Sequence, residues 1–181
     1  MIKIRRYEFK DAQARYEAIK ESQGHLLPFI PWAKDMSLAQ CEEWVRGVIK
    51  KWDEGGEYAF AIVGENDAYL GEIRLLGVTI NTYERFANLA YWVKASAARR
   101  GIVTAAIKII APYAFEVLKL NRIQIMILPE NKKSIGSAEK VGAKREGYLR
   151  NQWRFGDQLH DVILFSLTPK DLAEVAKDRQ Y

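Results

Sequence analysis

The spacing of apolar residues changes period several times along the chain, and each change marks an element. The opening "IKIRRY" alternates apolar and polar residues as a half-buried strand does. Asp11 then begins a helical pattern that Gly24 is placed to end. Ser37 with Gln40 three residues later forms a capping box, and Leu38, Cys41, Val45, Val48 and Trp52 recur at helical spacing until Gly55-Gly56 stops the helix. "EYAFAIVGENDAYLGEIRLLGV" reads as a hairpin turning at "GEND", and "FANLAYWV" as the next strand. From Ile102 to about Leu118 only Lys108 and Glu116 are charged, which predicts a helix buried against the sheet. Pro112 lies inside it and should kink the axis, because it cannot bond to the Lys108 carbonyl. The strand "RIQIMIL", the short helix "KKSIGSAEKV", and the strands "KREGYLRNQWRF" and "QLHDVILFSL" around a turn at Gly156-Asp157 follow. The order is mixed α/β with a central βαβα unit.

Length and composition narrow the class. At 181 residues and 49% hydrophobic, the chain can bury a substantial core, and with no repeat, low-complexity tract or linker it is expected to form one domain over 1–181. No run approaches about 18 apolar residues, and "MIKIRRYEFK" lacks the apolar core of a secretory signal, so a soluble, cytoplasmic protein without membrane partners is expected. A single cysteine, Cys41, rules out an internal disulfide. With His25 and His160 as the only histidines, there is little material for a metal centre, and none is expected. The formal charge of +5 suits an anionic ligand or an RNA surface, or serves solubility alone.

The charge matters most at "ASAARRGIVTAAIKII", residues 95–110, where two arginines and a glycine precede the long apolar helix. The first turn of a helix leaves about four backbone N–H groups unpaired and carries roughly half a positive charge. Gly101 removes a side chain that would block approach, and Arg99 and Arg100 add full charges. Residues 99–104, including Ile102, Val103 and Thr104, thus read as a phosphate cradle. A glycine that turns the chain from strand to helix beside two solvated arginines is the other reading.

"YWV...RRGIVTAAI" and "PENKKSIGSAEKVGAKREG" together resemble the GNAT acetyltransferase superfamily, and within it the RimJ/RimL group that acetylates protein N-termini. The likeness extends from "LLPFIPWAKDMSLAQCEEW" to "HDVILFSL" and is most specific in Asn-x-x-Ser-x-x-x-x-Glu-Lys-x-Gly from Asn131. It implies a GNAT fold, a mixed but mostly antiparallel twisted sheet flanked by helices, with acetyl-CoA as cosubstrate. Two positions depart from the family's pyrophosphate loop, Ala98 at its first position and Val103 at its last. The donors there are backbone amides, which any residue but proline supplies.

The resemblance also implies roles. The pantetheine arm of the cofactor would pair with Tyr91, Trp92 and Val93, a backbone amide there serving the oxyanion. Asn131 would hydrogen-bond the same arm, although it is also a good N-cap in any protein. Ser134 would protonate or hydrogen-bond the leaving sulfur, or be an ordinary first-turn serine. Family glutamates fall at positions that here are Asn88 and Trp153, so the general base is unassigned. Glu72 in "GEIRL" could reach the acceptor through a water or face solvent, and His160 has the intrinsic pKa for proton transfer but sits in a strand pattern. The apolar "GHLLPFIPW", with His25, Phe29 and Trp32, would lie over the acceptor beside the Trp153 hairpin, or pack on the core.

Three functions are compatible with these residues. The first is an acetyltransferase of a protein N-terminus, such as that of a ribosomal protein, or of a small amine such as a polyamine or antibiotic. The second is a CoA-binding domain weak in catalysis, and the third a basic RNA-binding module. No nucleic-acid motif is present, and stable nucleic-acid binding is not expected. Either a monomer or a homodimer fits.

Overall fold

The computed structural model describes residues 1–177. Seven strands form one sheet: β1 (Lys3–Arg6), β2 (Glu57–Val63), β3 (Tyr69–Ile80), β4 (Arg85–Val93), β5 (Arg122–Ile127), β6 (Lys144–Phe155) and β7 (Gln158–Leu167). Their spatial order is β1-β2-β3-β4-β5-β7-β6. Every pairing is antiparallel except β4 with β5, which the helix α3 (Ile102–Pro112) connects as a crossover. The helices α1 (Asp11–Leu26) and α2 (Leu38–Asp53) precede the sheet's second strand; α4 (Lys132–Lys140) follows β5, and α5 (Pro169–Lys177) follows β7.

Two apolar cores lie on opposite faces. Phe60, Ile62, Ile73, Leu75 and Leu89 pack with Ile107 and Ile110 of α3 and Ala138 of α4. The alternate residues Ala59, Ala61, Val63 and Trp92 pack with Ile19 of α1 and Val45 of α2. The sheet therefore buries both faces, which is why β2 reads as a nearly continuous apolar run.

The local signals that agree with tertiary burial form as expected. Ser37 accepts the Gln40 amide and Gln40 returns the bond, completing the capping box of α2. Gly24 does not end α1. The helix continues to Leu26, which is buried, and the Leu27 amide still reaches the Gln23 carbonyl at 3.0 Å. Burial of Leu26 outweighs the cost of one helical glycine. At Pro112 the helix passes into a single π turn, Tyr113–Val117, in which the Leu118 amide bonds to the Tyr113 carbonyl. The helix is not buried all round: Ile109 is 41% exposed and Val117 62%. Among the described residues, no helix is long and apolar enough to cross a membrane.

Two irregularities shape the molecule's functional end. The parallel pairing of β4 with β5 covers only Phe86–Asn88 against Arg122–Gln124, so from Leu89 onward the strands diverge into a fork. In β6, Leu149 pairs with Val162 and Trp153 with His160, so four steps along β6 match two along β7. Asn151 has φ 53° in the resulting bulge, where its amide donates to Asp161 Oδ1 at 2.7 Å.

Candidate active site

The fork opens into a cavity of about 1010 Å³ that runs from the first turn of α3, past the edge of β4, to the aromatic loop after α1 and the bulge of β6. At its first end, Ala105 is the earliest residue of α3 whose amide bonds within the helix, to the Gly101 carbonyl at 3.0 Å. The amides of Ile102, Val103 and Thr104, all in the cavity wall, have no helical partner. Gly101 has φ 72° and ψ 9°, and nothing lies within 4 Å of the position a Cβ would take. The left-handed backbone favours glycine here, and the open space keeps the amides approachable, so the turn and the cradle are two consequences of one residue. Arg99 also has positive φ, 63°, and lines the cavity; Arg100 is exposed outside the cavity wall, so the structure brings one of the two arginines to the site.

The segment before this turn is held from the other side of the fold. The amide of Ala95 donates to Ser22 Oγ at 2.9 Å, and that of Ser96 to Glu21 Oε1 at 2.7 Å. The bonds from Ser96 hold the Glu21 carboxyl below its ordinary range. His25, at the end of α1, donates from Nε2 to the Val93 carbonyl at 3.1 Å when that nitrogen carries the proton.

In the fork itself, Tyr91 and Ser134 meet from opposite walls, with their hydroxyl oxygens 2.8 Å apart. Burial lifts the Tyr91 phenol to about 12 against the opposing effect of the Ser134 bond. Asn131 caps α4, its Oδ1 accepting the Ser134 amide at 3.1 Å, which fixes Ser134 in the first turn and facing the cavity. Trp92 lines the same cavity with its indole Nε1 buried and, among the described residues, without a hydrogen-bond partner.

At the far end, Phe29 and Trp32 from the loop after α1 share the cavity wall with Trp153, which the β6 bulge brings there. Trp32 remains 42% exposed, so this loop does not simply pack on the core. Glu72 lies beneath, 1% exposed. Its Oε2 accepts from Arg15 Nε and from the Tyr7 hydroxyl, each at 3.1 Å. Burial raises the Tyr7 phenol well above its ordinary range, which keeps it a donor. Arg74 Nε is 2.8 Å from Glu72 Oε1, but its N–H points off the oxygen, leaving an ion pair rather than a hydrogen bond. Arg15 in turn is sandwiched over Trp44 at 3.8 Å and Trp32 at 5.2 Å. Both Glu72 oxygens are thus engaged by cations, and the residue is not an outward solvated one. His160 stands apart from the cavity wall, its ring tilted 39° against Phe155 with centroids 4.6 Å apart.

Sequence reasoning missed Arg15, Arg74 and Tyr7, which surround Glu72, and the side-chain role of Tyr91. The signal for two of them was present. Arg15 interrupts the buried stripe Ala12, Ala18, Ile19, Leu26 of α1, and Arg74 follows Glu72 at the two-residue spacing that puts both on one face of β3.

The chain matches the acetyltransferase (GNAT) domain family over residues 2–144. It is 30% identical over 174 residues to YdaF of Bacillus subtilis (strain 168), whose name describes it as a candidate ribosomal N-acetyltransferase, covering 94% of this chain and 92% of that protein. The spermidine N(1)-acetyltransferase of Escherichia coli (strain K12) is 29% identical over 86 residues, 48% of this chain and 46% of that protein. Among solved structures, Mycobacterium smegmatis RimJ in complex with a CoA disulfide superposes with a TM-score of 0.88 at 24% identity, covering 99% of this chain and 89% of that one.

Proposed function

Because the chain belongs to the GNAT acetyltransferase family, an enzyme family, we propose that it transfers the acetyl group of acetyl-CoA to an α-amino group, at a protein N-terminus such as that of a ribosomal protein. One observation carries the reading: a single cavity joins the unpaired amides of α3, the unpaired edge of β4 and an aromatic acceptor end. The residues present fit the cofactor. Three free amides, the positive end of the helix and Arg99 suit a pyrophosphate, and the β4 edge left open by the fork suits the amide-bearing pantetheine arm. Ala98 and Val103 leave those backbone donors in place.

When bound, acetyl-CoA supplies an activated acetyl group: a C–N bond forms as the C–S bond breaks, the amine loses one proton, and the CoA sulfur gains one. The protein's own groups assist at three points. A backbone amide in Tyr91–Val93 donates to the developing oxyanion, Ser134 donates to the departing sulfur, and Asn131 holds Ser134 by capping its helix. Glu72 acts by ordering Arg15 and Arg74 rather than as the base, since its oxygens are already engaged.

The charges at the acceptor end support an α-amine over a polyamine. Arg74 and Arg154 line this end of the cavity, and the two carboxylates that bind Arg74, Glu72 and Glu57, are each shared with a second cation, Arg15 and Lys51. Among the described residues the cavity wall holds no unshared carboxylate to meet a polycation, whereas an α-amine brings one cationic centre and loses it easily. About a tenth or more of an α-amine is free base at pH 7, against less than about a thousandth of a lysine. The name of YdaF supports a ribosomal acceptor, and in sequence the spermidine enzyme of Escherichia coli matches only about half of this chain, against 94% for YdaF. The test is turnover by the purified enzyme on peptides with a free N-terminus, the same peptides N-terminally blocked but containing lysine, and spermidine. The free N-termini should be acetylated fastest; faster turnover of blocked lysine peptides or of spermidine would overturn the assignment.

A further inference from the structure

Resting on the reading of Ser134 as the donor to the departing sulfur, we propose that Tyr91 is a positioning residue whose phenol donates to Ser134 Oγ and thereby aims the Ser134 O–H at the CoA thiol. The two hydroxyls lie 2.8 Å apart across the fork, Tyr91 on β4 and Ser134 in the first turn of α4. Either oxygen could donate on distance alone. The environment decides the direction. Tyr91 is half-buried with its ring packed on the α3 core, its phenol is lifted to about 12 by that burial, and among the described residues Ser134 Oγ is its one hydrogen-bond partner. A phenol that keeps its proton donates it to an acceptor within reach, and Ser134 Oγ at 2.8 Å is that acceptor.

With one Ser134 lone pair taken by Tyr91, the serine's single proton points away from the phenol and into the cavity. The Ser134 backbone amide is held by Asn131 Oδ1, so the side chain cannot follow a shifting helix start. Donation by Tyr91 also polarises the serine O–H and makes it a stronger donor in turn. No proton transfer from Tyr91 is involved, and the phenol stays neutral throughout. The hydrophobic contacts of the ring with the core on the α3 side remain when the hydroxyl is removed, so Tyr91→Phe keeps the shape of the wall.

The experiment is a double-mutant cycle of Tyr91→Phe and Ser134→Ala with two readouts: kcat and KM for acetyl-CoA, and calorimetric affinities for CoA and for desulfo-CoA at about pH 10.5, where an alkyl thiol is largely ionised and the Tyr91 phenol keeps its proton. Wild type should bind CoA about tenfold more tightly than desulfo-CoA, the worth of one charge-assisted hydrogen bond. Each single variant should bring that ratio close to one and lower kcat about tenfold with KM for acetyl-CoA little changed. The double variant should be no worse than Ser134→Ala, because the phenol acts only through the serine. A Tyr91→Phe variant with wild-type kcat and ratio, or losses that multiply in the double variant, would overturn the inference while leaving Ser134 in place. If Ser134→Ala itself changes neither readout, the underlying role of Ser134 falls instead.

Discussion

Removing the Glu72 carboxylate should cost stability far more than chemistry. Glu72→Ala strands the Arg15 guanidinium, 1% exposed, without its ion-pair partner, and takes one acceptor from Tyr7. Arg74 is less affected because Glu57 still binds it at 2.9 Å. Breaking a buried ion pair by deleting one partner costs about 3 to 5 kcal/mol. Arg15 keeps its stacking on Trp44 and Trp32, which places the expected cost near the lower figure. For a chain of this size about 3 kcal/mol corresponds to roughly 6 to 12 °C in Tm. Glu72→Gln keeps an oxygen for Arg15 and Tyr7 but turns an amide toward Arg74, and should cost about 1 to 2 kcal/mol. Replacing both partners, Glu72→Leu with Arg15→Met, should recover much of the loss, since no uncompensated charge is left buried. Thermal unfolding and steady-state kinetics on the same preparations decide the matter. The account expects Glu72→Gln to keep kcat within about tenfold and to leave its pH profile unchanged. A Gln variant with unchanged Tm and a kcat lower by about a thousandfold, with the alkaline rise of the profile lost, would make Glu72 the general base and refute the reasoning.

Other expectations are more local. Arg99→Ala should weaken acetyl-CoA by about tenfold and flatten its salt dependence, whereas Arg100→Ala, outside the cavity wall, should change affinity less than twofold; calorimetry at several salt concentrations distinguishes them. Asn131→Ala should lower stability by about 1 kcal/mol through the lost cap and raise KM for acetyl-CoA, as measured by denaturant unfolding and kinetics. Asp67 is held down to about 2 by its bonds with Arg5 and Lys10, from an ordinary value of 3.8. Its folded-state pKa is depressed, so its stabilising effect is present above about pH 4 and lost as pH falls toward 2. Asp67→Asn should narrow the difference between Tm at pH 5 and pH 2.5, and an unchanged difference would show that the contact adds nothing.

What the chain's pattern revealed followed the range of the interaction. The capping box of α2 and the Asn131 cap of α4 each involve residues three apart and were legible as local signals. Gly24 was misleading because a local breaker met a tertiary demand, the burial of Leu26, that the glycine cannot oppose. The helix from Ile102 formed as its apolar pattern required, yet its exposed Ile109 and Val117 lie on a side that no other element covers closely. The cavity's first end was legible because three amides, a glycine and an arginine are contiguous. The fork was not, since it depends on where the register of β4 against β5 stops. The Tyr91–Ser134 bond spans 43 positions and the Arg15–Glu72 pair 57, and no local spacing announces either. The bulge that brings Trp153 to the acceptor end depends on Asp161, ten residues away across a hairpin, accepting the Asn151 amide.

Calorimetric titration of acetyl-CoA into the wild-type protein tests the central claim most directly, because the fork, the free amides of α3 and Ser134 have a common purpose only if that molecule binds there. The account predicts one site per chain with micromolar affinity, weakening as salt rises because Arg99 and the helix start act on phosphate charge. A folded protein that shows no binding of acetyl-CoA at millimolar concentration would contradict it.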